Sequence, residues 1–100
     1  MKIRILSSAF HDLALGRDFY ERQGEGLGNY FLDSLFSDID SLALYAGIHR
    51  KFSGFHRLLS KRFPYAVYYQ IEDQKELVVY RVLDCRQHPG KIEAALSAQK

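Results

Sequence analysis

One hundred residues, 47% of them hydrophobic and 14% aromatic, can close one core but not two, so a single domain over residues 1–100 is expected. The lone cysteine excludes an intrachain disulfide framework, and apolar runs of only a few residues exclude a membrane span or signal segment; together these predict a cytoplasmic protein with no membrane attachment. The net charge of +2 conceals polarity: residues 1–48 carry four basic against seven acidic side chains, residues 49–100 ten against five, which points to an anionic partner, either nucleic acid or an acidic protein segment.

The opening KIRIL alternates charged and aliphatic residues and predicts a short strand with Ile3 and Ile5 on one face. Ser7 and Ser8 then offer hydroxyl caps, and Asp12 lies close enough to favour the helix dipole. From Ala9 to about Gln23, Phe10, Leu13, Arg17 and Tyr20 recur at three- and four-residue spacing, while Asp12, Asp18, Glu21 and Arg22 supply a wet side. GEGLG at 24–28 ends this helix, because glycine tolerates the positive φ that stops one. A second periodic run from Leu27 to about Tyr45 carries Leu27, Phe31, Leu35, Ile39 and Leu42, so the two form an antiparallel helical hairpin.

Gly47 and Gly54 bracket a basic loop, after which Phe55 to Phe63 reads as a strand bounded by Pro64, which has no N–H to donate. Tyr65 to Ile71 alternates, with Tyr65, Val67, Tyr69 and Ile71 on one face and Ala66, Tyr68 and Gln70 on the other. Glu72 to Lys75 makes a turn, and Leu77 to Leu83 is apolar enough to be a central strand. Pro89-Gly90 breaks the chain before an alanine-rich helix over Lys91 to Gln99. The order β-α-α-β-β-β with a short terminal helix predicts an α+β fold, an antiparallel-rich sheet with the helix pair on one face and the other face free.

Residues 49–62 hold Arg50, Lys51, Arg57, Lys61 and Arg62, two histidines and no acid. This is the leading candidate for a target- or partner-binding surface, joined by Arg86 after the last strand; the alternative is a solvated strand face whose long stems cover apolar surface. His49, His56 and His88 match no recognised catalytic or metal spacing, so no metal and no cofactor are expected. Cys85 reads as a strand-end thiol rather than a nucleophile, and Tyr65, Tyr68, Tyr69 and Tyr80 read as core rather than as a nucleobase platform.

With GLGNYFLDSL after the first helix, the basic RLLSKRFPYAVYY, the strand LVVYRVLDCR and the closing HP, the chain resembles the RelE/ParE superfamily. These are the toxin halves of bacterial type II toxin-antitoxin pairs, often called plasmid stabilisation proteins, and the resemblance leans to the ParE-like side. It implies a cognate antitoxin as partner and one of two modes of action. RelE-like members cut messenger RNA on the ribosome with a set of basic side chains and a late tyrosine; ParE-like members lack that set and are associated with poisoning DNA gyrase. Aligned on YAVYYQI, the five nuclease positions fall at Arg57, Leu59, Ala66, Arg86 and Ile92, of which only Arg57 and Arg86 remain basic. Cleavage needs a proton acceptor, a donor and cationic support, so the resemblance favours a gyrase inhibitor that performs no chemistry. The alternative is a ribosome-dependent mRNA endonuclease with a shifted site at Arg57, Lys61, Arg62 and Arg86. Oligomeric state stays open.

Overall fold

β-branched and aromatic side chains on both strand faces commit the second half of the chain to a sheet with two covered sides. The computed structural model describes residues 1–99. It comprises β1 (Lys2–Ile5), α1 (Ser7–Glu21), α2 (Leu27–Asp40), a single turn α3 (Leu42–Tyr45), β2 (Lys51–Phe52), β3 (Phe55–Leu59), β4 (Tyr65–Glu72), β5 (Glu76–Asp84) and α4 (Pro89–Ser97). The sheet order is β1-β5-β4-β3-β2, with β1 parallel to β5 and all other pairs antiparallel. The expected α+β architecture, with its helical hairpin against the sheet, is the one observed.

Four local expectations differ from the structure. The helix expected to run to Tyr45 is interrupted at Ser41, whose hydroxyl donates to the Asp38 carbonyl at 2.6 Å. The strand expected to reach Phe63 stops at Leu59, and a further two-residue strand precedes it, turning through Ser53 and Gly54, both at positive φ. Neither serine caps α1: Leu6 occupies the N-cap with no side-chain bond, and the Ser8 hydroxyl instead donates to the Tyr80 carbonyl. Asp12 is buried rather than wet, and Phe10 is half exposed.

The alternation read in β4 holds. Tyr65, Val67 and Tyr69 join Ala9, Leu13, Phe31, Leu35 and Ile39 in the core beneath α1 and α2. Ala66 and Tyr68 face the other way into a second core with Phe55, Leu83, Ile92 and Leu96. The sheet face expected to be free is therefore covered by α4, because Ile92 and Leu96, four apart on one helix side, supply an apolar stripe for it. A β-bulge between Tyr68 and Tyr69 admits Tyr80 as an extra residue of β5.

The helix hairpin depends on close backbone approach. A Cβ on Gly28 would sit 2.8 Å from the Arg17 carbonyl oxygen, so only glycine fits there. Gly26, at φ +85, turns the chain into α2. At the start of α2 the Glu21 carboxylate accepts from the N-cap Gly26 at 3.1 Å and from Gly28 at 2.9 Å, while the Leu27 N–H donates to the Gly24 carbonyl. This is the physical content of the GLG motif.

Candidate target-binding surface

Arg50, Lys51, Arg57, Lys61, Arg62 and Arg86 do not form one cationic sheet face; the structure distributes them over three places. Arg57 projects from β3 on the α4 side, its guanidinium carbon 5.1 Å from the centre of the Phe52 ring. It lies beside the buried Tyr68 hydroxyl without meeting hydrogen-bond geometry, and that hydroxyl has no partner among the described residues. Burial pushes the Tyr68 phenol up, with the neighbouring Arg57 opposing. Arg50 adjoins Arg57 through the backbone, its carbonyl accepting the Arg57 N–H at 2.9 Å. Lys51 pairs across the hairpin with His56, on the opposite face to Phe52.

Lys61 and Arg62 belong to a different surface. The chain leaves β3 toward α2, tied there by the Ser60 hydroxyl donating to the buried Asp38 carboxylate at 2.7 Å. Arg62 stacks over Tyr30 at 5.9 Å and donates to its hydroxyl. With Asp33, Ser34, Ser37 and Asp38 these two cations line a concavity of about 240 Å³. Arg57 and Arg62 thus share no groove. The reason is that strand alternation fixes Arg57 to one face, whereas the loop before Pro64 carries Arg62 to the other.

Arg86 occupies the third place. It grips Asp84 with two arms, Nε to Oδ1 at 3.0 Å and Nη2 to Oδ2 at 2.7 Å, and lies over Phe19 of α1. These bonds raise the guanidinium pKa further and hold the Asp84 carboxyl below its usual range. Nearby Tyr65 is pushed up to about 12, first by burial and then by Asp84. A groove of about 320 Å³ runs between α1, the end of β5 and α4, with Leu15, Phe19 and Ala95 on its walls. In it sits an ion pair that local sequence reading missed: Asp12 accepts from Arg81 Nε at 2.7 Å, Arg81 Nη2 at 2.9 Å and the Val82 N–H at 3.0 Å. The partners are 69 residues apart, so no local pattern could have signalled it.

The three aligned nuclease positions that have lost their polar group differ in environment. Ala66 is fully buried, Ile92 is 5% exposed beneath the sheet, and Leu59 is an exposed aliphatic. Three histidines make local hydrogen bonds through Nδ1. His88 Nδ1 accepts the Gly90 N–H at 2.9 Å and caps α4. His56 Nδ1 donates to the His49 carbonyl at 2.7 Å with its ring stacked on Tyr69, and His49 is bonded to the Tyr69 hydroxyl. Packing around the Cys85 sulfur pushes that thiol up despite the residue's exposure, with Arg57 opposing, which leaves it a poor nucleophile. Among the described residues no group of three or more His, Cys, Asp or Glu is placed to hold a metal ion, and no helix is long and apolar enough to cross a membrane.

Comparison with known proteins agrees with this architecture. A solved structure titled as the chromosomal ParDE TA system from P. aeruginosa superposes with a TM-score of 0.74, at 21% identity, over 82% of this chain and 92% of that one. No curated protein sequence matches significantly. The model of the family described as "ParE toxin of type II toxin-antitoxin system, parDE" matches residues 3–89. The chain therefore belongs to the ParE toxin family of type II toxin-antitoxin systems.

Proposed function

We propose that this toxin acts by binding DNA gyrase, performs no covalent chemistry, and is held inactive in the cytoplasm by a cognate antitoxin. The observation that carries the non-catalytic reading is the apolar burial of Ala66 and Ile92. An endonuclease would need a phosphate-stabilising cation and a proton-transfer group at those aligned positions, and here two side chains seal α4 onto the sheet. Arg86, the second aligned cation that is kept, is engaged by Asp84. The six cations Arg50, Lys51, Arg57, Lys61, Arg62 and Arg86 then serve contact with target or antitoxin, from three surfaces rather than one.

Supercoiling of relaxed plasmid by purified gyrase, with the toxin titrated to stoichiometric excess, tests the target. Inhibition relieved by adding the antitoxin is expected. Undiminished supercoiling, together with discrete message ends in a translation extract, would replace this reading with the ribosomal one.

A further inference from the structure

The concavity between α2 and the loop after β3 carries charges of both signs that do not meet. Tyr30, Ser34, Ser37 and Asp38 recur at helical spacing along one face of α2, so a polar stripe runs beside the apolar one of Phe31, Leu35 and Ile39 that enters the core. Against it the chain leaving β3 sets Lys61 and Arg62. Both walls are held in place. The Ser60 hydroxyl donates to the Asp38 carboxylate at 2.7 Å, and Arg62 lies over the Tyr30 ring while donating to its hydroxyl at 3.3 Å. Two cations and two carboxylates, those of Asp33 and Asp38, thus line one space of about 240 Å³. None of the ion pairs among the described residues joins them.

Opposite charges that face a common space without pairing each keep a side to offer a ligand. We propose that this concavity binds a small zwitterion, a free α-amino acid, with its carboxylate on Arg62 and Lys61 and its ammonium between Asp38 and Asp33. Charge decides the class. A simple anion would meet the two carboxylates and a simple cation the two basic groups, whereas a ligand with both signs on one carbon satisfies each wall. Asp38 is the buried member of the four, at 6% exposure, and poor access to water strengthens its contact with an ammonium. Asp33, Lys61 and Arg62 are exposed and form the rim. Ser34 and Ser37 add hydroxyls that can donate to the carboxylate or accept from the ammonium. Size agrees, since sites for drug-sized ligands span roughly 300–1,000 Å³ and this space admits a smaller molecule.

The probe is L-glutamine, titrated into the isotope-labelled toxin while backbone amide shifts are followed by NMR. Saturable shifts confined to residues 30–38 and 60–62 are expected in the millimolar range or below. Removing either ligand charge, in N-acetyl-L-glutamine or in L-glutamine amide, should weaken binding roughly tenfold or more. Asp38→Asn can loosen the loop by altering the Ser60 bond, so the rim variants carry the test in an intact fold. Arg62→Gln should narrow the preference for L-glutamine over its amide and keep the preference over the N-acetyl form; Asp33→Asn should do the reverse. Unchanged preferences in both variants, or no saturable shift at all, would overturn the site. Inorganic phosphate bound as tightly as L-glutamine would make it an anion site, and putrescine bound as tightly a cation site; either result overturns the zwitterion. Gyrase inhibition is read separately, so failure of either claim leaves the other measurable.

Discussion

Replacing Asp12 by alanine removes three hydrogen bonds at once, because its carboxylate accepts from two Arg81 nitrogens and from the Val82 amide. Arg81 keeps 21% of its side chain exposed, against 6% for Asp12, so an orphaned guanidinium recovers some water through the adjoining groove. Breaking a buried pair from one side costs about 3–5 kcal/mol, and the exposure of Arg81 lowers that to about 2–3 kcal/mol. The orphaned Val82 N–H adds about 1 kcal/mol, giving about 3–4 kcal/mol in all, or a fall in Tm of roughly 12–30 °C for a domain of this size. Arg81→Met leaves the more deeply buried carboxylate with one amide donor and should cost a similar amount. The double variant Asp12→Ala/Arg81→Met no longer carries a buried unpaired charge, so urea denaturation should show a double-mutant coupling of about 2 kcal/mol or more. Additive losses would mean that the pair merely packs and does not pin α1 to β5.

Other expected outcomes use the same geometry. Gly16→Ala would place a Cβ 2.5 Å from the Phe31 ring, which is fully buried among Tyr20, Phe63 and Tyr65; a loss of about 1–3 kcal/mol is expected in chemical denaturation, and an unchanged midpoint would show that the ring can yield. Burial first, and the neighbouring His56 second, hold His49 below its ordinary value of 6.5. The unfolded chain then binds the proton at higher pH than the fold, so this stabilisation is present above about pH 6.5 and is lost as pH falls toward the folded value. His49→Gln should flatten the decline in Tm between pH 7.5 and 5.5, and parallel slopes would remove His49 as its source. Reversing Arg57, Lys61 and Arg62 together to glutamate should restore growth on induction while costing well under about 1 kcal/mol per site; full toxicity in a folded triple variant would rule out these cations as the working contacts.

Periodicity and composition alone determined the α+β order, the helical hairpin, the two-faced alternation of β4 and the central place of β5, because each is a local property of pattern and turn chemistry. Pattern also marked the cations, and the resemblance to the RelE/ParE superfamily marked Leu59, Ala66 and Ile92 as departures from a nuclease set. Only the tertiary structure decided how those residues are grouped. Charge run length says nothing about which side of a sheet a loop will take, so Arg57 and Arg62, five positions apart, end on different surfaces. The same limit hid the Asp12–Arg81 pair and the closing of the second sheet face by α4, since both depend on contacts between residues distant in the chain.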